Sequence, residues 1–147
     1  MAIVTGEGAD NGYTGLSYED KVEYASPIAH PMAPEKLARR LFKLTRKAKR
    51  CKKVDSSIKS VLKAIEKKNA SGILVLAGDA SPIDAISHIP VVCEEFNIPY
   101  CYVPSKADLS AHTGFAGFLA LVFITKSDEY GTLYDKCFSA VDQLTGS

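Results

Sequence analysis

Apolar residues recur at helical spacing in the stretch that follows Pro34. Leu37, Leu41, Leu44 and Ala48 stand at positions i, i+4, i+7 and i+11, and the residues between them are mostly Lys and Arg. Such spacing places the four side chains along one stripe of a helix. Proline suits the first turn of a helix. The pattern therefore predicts a helix that starts at Pro34, buries one stripe and exposes basic faces.

Three short, continuous apolar runs predict β-strands. They cover Ile73–Ala77, Tyr100–Val103 and residues 119–124, and each run is bordered by residues that break regular structure. A run without alternating polar positions is typical of a strand that is buried on both faces.

Further helical patterns lie before, between and after these runs. Asp55, Ser56 and Ser57 are candidate helix caps ahead of apolar residues at helical spacing. Ser105, with Asp108 three residues later, resembles a capping box. The other helices are predicted around Ile83 and Ile86, over residues 90–96 and from about residue 127. Alternating strands and helices predict an α/β fold, a three-layer α-β-α sandwich whose small sheet is mostly parallel, with a mixed sheet as the alternative.

The length of 147 residues suits a single domain. Residues 1–24 are rich in Gly, acidic and small residues, which predicts a mobile amino-terminal arm, and residues 25–147 are predicted to form the domain. No apolar run approaches the roughly 20 residues of a transmembrane helix, and the amino terminus lacks a secretory pattern. We therefore expect the protein in the cytosol or nucleus.

Charge is distributed very unevenly along the chain. Residues 36–68 contain 14 of the 18 Lys and Arg but only two acids, Asp55 and Glu66, a local net charge of +12. The rest of the chain has four basic and 15 acidic residues, a net charge of −11. If the fold gathers the basic block on one side, the molecule has a face that attracts polyanions.

The sequence offers little support for catalysis. His30, His88 and His112 are scattered, and neither a serine-nucleophile elbow nor a glycine-rich nucleotide loop occurs. The four cysteines form no C-x-x-C pair, and those within apolar stretches are interpreted as small buried hydrophobic residues (Cys93, Cys101 and Cys137). We therefore predict no enzyme activity, no cofactor and no metal site.

The start of the second predicted helix is the strongest candidate site. Ser57, Lys59, Ser60 and Lys63 lie where side-chain cations, backbone N–H groups and the helix dipole can act together on a phosphate. Three other interpretations of the basic block stay open: a solvated helix face, a nuclear import signal and an acidic membrane surface. The solvated face is disfavoured because such helices usually mix charge signs. The membrane surface is disfavoured because the helix lacks a large aromatic face.

Two stretches of sequence carry a family resemblance. One is Pro27-Ile28-Ala29-His30-Pro31-Met32-Ala33 followed by Lys36-Leu37. The other starts at Ile73-Leu74-Val75-Leu76-Ala77-Gly78-Asp79 and continues through Ser81-Pro82-Ile83-Asp84, His88-Ile89-Pro90 and Cys93-Glu94-Glu95 to Val103-Pro104-Ser105-Lys106. In these stretches the chain resembles the small ribosomal-protein-like RNA binders that recognise kink-turns, and especially their H/ACA ribonucleoprotein branch.

The resemblance implies an RNA-binding scaffold protein that is not an enzyme. Its implied partners are an H/ACA guide RNA, a pseudouridine synthase subunit and a small core partner protein. It also implies a nucleolar protein that supports guide-directed pseudouridylation and processing of ribosomal RNA, without a membrane or a small-molecule substrate. Two alternatives stay open. One is a selective kink-turn binder of the box C/D, spliceosomal or ribosomal type. The other is a protein-interaction module with a basic import signal.

The resemblance also implies the residues that contact RNA. The RNA-reading element of the family maps onto Ser57, Lys59, Ser60 and Lys63, but its Gly and Glu are replaced here by the two serines. Without the carboxylate, phosphate contacts persist while base readout is weakened. A second element maps onto the loop expected at residues 109–114, where His112 could stack on a base. The expected RNA-binding residues are Lys52, Lys53, Ser56, Ser57, Lys59, Ser60, Lys63, Ile83, Ala111 and His112.

Overall fold

Helices and strands alternate along the chain in the computed structural model, which describes residues 17–24, 31–78, 89–113 and 120–146. The α-helices of these ranges are α1 (Tyr18–Tyr24), α2 (Glu35–Arg50), α3 (Ile58–Lys68), α4 (Ile89–Glu95), α5 (Lys106–Thr113) and α6 (Gly131–Gly146), and a short 3-10 helix covers Asp128–Tyr130. The strands are β1 (Val54–Asp55), β2 (Ile73–Ala77), β3 (Tyr100–Val103) and β4 (Leu121–Ile124). None of the described helices has both the length and the apolar character needed to cross a bilayer. The helix predicted around Ile83 and Ile86 lies outside the described residues.

The four strands form one mixed sheet in the order β1-β4-β2-β3. Strands β2 and β3 are parallel, with Leu74 opposite Tyr100, whereas β4 is antiparallel to both β2 and β1. The α/β class and the mixed alternative are confirmed, but the prediction of a mostly parallel sheet is wrong. A continuous apolar run indicates burial on both faces and contains no information about the direction of the neighbouring strand.

Burial of α2 and the sheet follows the apolar pattern. Every residue of β2, β3 and β4 is buried, so helices cover both faces of the sheet. The predicted stripe Leu37, Leu41, Leu44 and Ala48 is buried as well, and α2 packs against α5 and α6. Thr45 is buried within α2, where its hydroxyl donates a hydrogen bond to the Leu41 carbonyl oxygen over 2.8 Å. The outward face of α2 is thereby left to its charged residues.

Three of the four cysteines are buried in the core, as the sequence predicts. Burial raises the pKa of Cys93 and of Cys101 to about 12 and that of Cys137 to about 11. A thiol with a raised pKa is protonated at neutral pH and is a poor nucleophile. These side chains therefore act as small hydrophobic residues.

The described end of the expected amino-terminal arm is a helix. Within α1, the Tyr18 hydroxyl donates a hydrogen bond to the Ala33 carbonyl oxygen, and Lys21 Nζ lies 2.7 Å from Asp108 Oδ2. Both side chains of this ion pair are mostly buried. Tertiary contacts hold α1, which explains why its polar local pattern did not predict it.

Candidate nucleic-acid interface

Every exposed position of α2 carries a charge. The buried stripe occupies one side of the helix, and Glu35 is the only acid in the helix. The Glu35 carboxylate pairs with Arg39 at 2.7 Å. We call the basic residues of this helix the α2 face: Lys36, Arg39, Arg40, Lys43, Arg46, Lys47, Lys49 and Arg50.

The α2 helix ends in a Schellman motif that contains two of the predicted RNA-binding lysines. The N–H group of Lys53 donates to the Ala48 carbonyl over 2.8 Å, and that of Lys52 donates to the Lys49 carbonyl over 3.1 Å. Lys52 adopts the left-handed conformation with φ of 59°. Glycine usually occupies this position because it has no Cβ to strain. The strained backbone places an exposed cation at the turn that leads into β1.

Replacing Lys52 with Gly is expected to raise the stability of the protein and to lower its affinity for RNA. Removing the strained Cβ should raise the free energy of unfolding by about 0.5–1 kcal/mol. Losing one phosphate contact should lower the RNA affinity about five- to eightfold at about 0.1 M salt. Urea denaturation and fluorescence anisotropy measure the two effects. Lys53→Gly is the control: Lys53 has no positive φ, so this change should lower stability, and equal gains in both variants would contradict the strain argument.

Strand β1 positions the start of α3, and the sequence pattern did not predict it. Val54 and Asp55 pair with β4, opposite Ile124 and Phe123. Both the N–H and the hydroxyl of Thr125 donate to the Lys53 carbonyl oxygen, over 3.0 and 3.1 Å. These bonds attach the connection between α2 and α3 to the edge of the sheet. Thr125 thus positions the site, although no sequence signal marked it, since β1 is only two residues long.

Ser57 is the N-cap of α3. Its hydroxyl accepts a hydrogen bond from the Ser60 N–H group over 3.4 Å, and its own N–H donates to Asp55 Oδ1 over 3.1 Å. The backbone of Ser57 is extended, with φ of −95° and ψ of 126°, so the position does not require the glycine of the family element. Of the predicted candidate caps, Ser57 therefore caps the helix and Asp55 supports the cap.

Cations form a row along the exposed side of α3. Lys59, Lys63 and Lys67 stand four residues apart, and all three are exposed. The first turn of α3 contains no acid, although an acid would be favoured there by the helix dipole. Like charges at this spacing destabilise an isolated helix by about 0.2–0.5 kcal/mol per pair. An anionic ligand bound at the start of the helix would weaken the repulsion between the lysines and supply the negative charge that the first turn lacks.

The predicted site residues from Lys52 to Lys63 follow one another along the chain, through β1 and into α3. Lys52, Lys53, Ser57, Lys59, Ser60 and Lys63 are exposed in one continuous segment, whereas Ser56 is half-buried. We call Ser57, Lys59, Ser60 and Lys63 the α3 site. Of the 14 basic residues between positions 36 and 68, all are exposed except Lys47, which is half-buried.

The second predicted RNA-facing element differs from the expectation. Residues 109–113 belong to helix α5 and not to a loop, and Leu109 and Ser110 are buried. The Ser105 hydroxyl accepts from the Asp108 N–H group over 3.2 Å, and this capped helix continues because no breaker precedes Gly114. Ala111 is exposed on α5, which packs against α2. His112 lies on α5 without a described side chain, and Ile83 lies outside the described residues.

Comparisons with the sequences and structures of known proteins support the α/β fold described above. The H/ACA ribonucleoprotein complex subunit 2-like protein of Xenopus laevis is 41% identical over 128 residues, which are 87% of this chain and 85% of the relative. The H/ACA ribonucleoprotein complex subunit 2 of Drosophila melanogaster is 40% identical over 123 residues, 82% of this chain and 75% of the relative. The solved structure of the Giardia lamblia 15.5kD RNA binding protein superposes with a TM-score of 0.75 at 25% identity, covering 81% of this chain and 98% of that protein.

The family assignment rests on the extent of these matches. The profile of the ribosomal protein L7Ae/L30e/S12e/Gadd45 family matches residues 39–134, a range that contains the α2 face from Arg39 onward and the whole α3 site. The relatives match most of the chain, and the structural neighbour has the same fold. The chain is therefore a member of the ribosomal protein L7Ae/L30e/S12e/Gadd45 family.

Proposed function

We propose that this protein is an RNA-binding core scaffold of an H/ACA ribonucleoprotein. It binds RNA and supports the assembly without catalysing a reaction. The names of the relatives, at about 40% identity over most of the chain, support the complex. The name of the structural neighbour supports RNA as the ligand.

The observation that carries the proposal is the exposed basic surface at the start of α3. Lys52, Lys53, Lys59 and Lys63 lie within twelve consecutive residues, anchored to the sheet through β1 and the cap at Ser57. The N–H groups of Ile58 and Lys59 in the first turn have no acceptor within the helix. Phosphate oxygens accept hydrogen bonds from such groups and neutralise the lysines.

We propose that the α3 site contacts mainly the RNA backbone. A Ser60 hydroxyl is a weaker acceptor than a carboxylate for the guanine N–H groups of sheared G·A pairs. The Cβ of Ser57 also stands where the family element has a glycine. Phosphate contacts without strong base contacts produce affinity that depends on salt and little on sequence.

The specific partners follow from the proposed complex. A guide RNA, a pseudouridine synthase subunit and a small core partner protein would bind together with this chain in the nucleolus. Because RNA readout at the α3 site is weak, specificity would come largely from the joint assembly. The assembly would serve pseudouridylation and processing of ribosomal RNA.

Binding of the isolated protein to paired RNA stems tests the proposal. One stem contains a kink-turn, and its partner is the same stem with the G·A pairs replaced. We expect measurable affinity for both stems at low salt, a preference of less than about tenfold, and a steep loss of affinity as salt rises. A strong preference for the kink-turn would favour the selective kink-turn binder. No measurable binding at low salt would favour a protein-interaction module.

Ser60→Glu is expected to move the protein toward kink-turn selectivity. The new carboxylate would accept from guanine and repel the phosphates of a regular stem, so affinity for the straight stem should fall about fivefold to tenfold at about 0.1 M salt. It would also complete a capping box with Ser57 and raise the free energy of unfolding by about 0.3–1 kcal/mol. Ser60→Gln is the neutral control. Equal loss of affinity for both stems in the Glu variant would contradict a reading role for this position.

A further inference from the structure

The α2 face is a second group of exposed cations, joined along the chain to the α3 site by the basic turn at Lys52 and Lys53. Five of its residues follow one another along the outward side of the helix at spacings of three or four residues: Lys36, Arg40, Lys43, Lys47 and Arg50. With a rise of about 1.5 Å per residue, this row is about 21 Å long. Its far end, at Lys36, is the end of α2 most distant along the chain from the α3 site.

None of the described residues neutralises this row at its far end. Among the described residues, no acid lies within ion-pair distance of Lys36, Arg40 or Lys43. Neighbours in the row are three or four residues apart, so each pair of like charges opposes helix formation. Lys36 also lies in the first turn, where a cation is unfavourable to the helix dipole. An external anion of comparable length would relieve all of these repulsions.

The chemistry of the α2 face fits a nucleic-acid duplex better than a protein. No exposed aromatic or aliphatic residue lies on α2, whereas the centre of a protein interface is rich in aromatic residues and poor in lysine. Interfaces with nucleic acids are strongly basic. A duplex also presents a continuous array of phosphates, about one charge per 1.7 Å of axis in the DNA case, so each cation of the row has a partner.

From these observations we infer that the α2 face is a second RNA-contact surface, which binds the phosphates of a duplex that flanks the element held at the α3 site. This inference rests on the proposed function.

A competing occupant of the α2 face is an acidic protein segment. A groove of about 490 Å³ between α2 and α6 lies beside Lys36 and Arg40, with Leu37, Ala140 and Leu144 in its lining.

Two hairpin RNAs and three double variants of the full chain test the inference. The short hairpin contains only the element for the α3 site, and the long hairpin adds about ten base pairs, enough to exceed the length of the row. The variants are Lys36→Ala/Lys43→Ala on the α2 face, Lys59→Ala/Lys63→Ala at the α3 site, and Lys126→Ala/Lys136→Ala as a control with equal charge loss outside the basic block.

We expect the wild-type protein to bind the long hairpin more tightly than the short one, with a log affinity against log salt slope steeper by about 1–2 units. Lys36→Ala/Lys43→Ala should abolish this difference and leave the short hairpin unaffected within about twofold, while the control pair retains the difference. Lys59→Ala/Lys63→Ala should weaken both hairpins.

Two results would overturn the second surface and leave the proposed function intact. One is equal wild-type affinity for the two hairpins. The other is a length effect that persists in Lys36→Ala/Lys43→Ala. In that case, if this variant no longer binds a Glu-rich peptide with Leu at every third position, the α2 face is assigned to a protein ligand. If the wild-type protein binds neither hairpin at low salt, the proposed function fails together with the inference.

Discussion

Replacing Lys59 and Lys63 together with Ala is expected to lower the affinity for RNA about 25- to 60-fold at about 0.1 M salt. Each lysine contacts a phosphate in the proposed complex, and each contact contributes about 0.7–0.9 to the slope of log affinity against log salt. The slope should therefore flatten by roughly 1–2 units, and the loss should be similar for unrelated stem-loops. Anisotropy titrations at several salt concentrations measure both quantities.

Lys67→Ala/Lys68→Ala is the matched control for this pair. It removes the same charge from the same helix, but at the carboxyl end of α3, where the helix dipole repels a phosphate. We expect a loss of affinity several times smaller than for the pair at the α3 site. Equal losses of affinity in the two double variants would show that RNA binds to the charge spread along the whole helix and not to the α3 site. Unchanged affinity and slope in Lys59→Ala/Lys63→Ala would exclude the α3 site.

Gly72→Ala is expected to lower the free energy of unfolding by about 3 kcal/mol, the largest effect on stability that we expect from a single added methyl group. A Cβ at Gly72 would overlap the Ile124 carbonyl oxygen and lie 3.0 Å from two ring carbons of Phe123. The Ile124 backbone cannot retreat, because β4 is hydrogen-bonded between β2 and β1. The neighbouring Ile73 pairs directly with Ile124, so a shift here opens the sheet.

Gly131→Ala is the control for the added methyl group. Gly131 has helical φ and ψ of −58° and −40°, and its Cβ would meet only Lys126 Cε at 3.8 Å. We expect an unchanged or slightly higher free energy of unfolding, since Ala loses less backbone entropy than Gly. Urea denaturation of both variants measures the difference. A Gly72→Ala protein as stable as the Gly131→Ala protein would contradict the packing seen at the junction of β2 and β4.

The connection of β4 to β1 links this stability prediction to RNA binding. Phe123 and Ile124 pair with Asp55 and Val54, and this pairing positions the segment that leads to Ser57. A displaced β4 would therefore also loosen the α3 site. We expect Gly72→Ala to weaken RNA binding even at temperatures where the variant remains folded, whereas Gly131→Ala should bind as the wild type does.

The amino-acid sequence by itself determined the elements whose burial is encoded locally. Leu37, Leu41 and Leu44 mark the buried side of α2 because helix periodicity places them together, and the continuous apolar runs mark β2 and β3. The concentration of charge in residues 36–68 identified the candidate RNA-binding segment, and the caps at Ser57 and Ser105 were visible as residue types.

Only the tertiary structure decided how these elements are joined. The antiparallel direction of β4, the two-residue strand β1 and the helix α1 depend on partners distant in sequence, such as Ile124 for Val54 and Asp108 for Lys21. The same is true of the burial of Leu109 and Ser110, which removes them from the expected RNA-facing element. Local sequence patterns encode which side of an element is apolar and where the lysines lie along the chain. Pairing and anchoring arise from contacts across the folded chain, so those contacts decided how the start of α3 is held against the sheet.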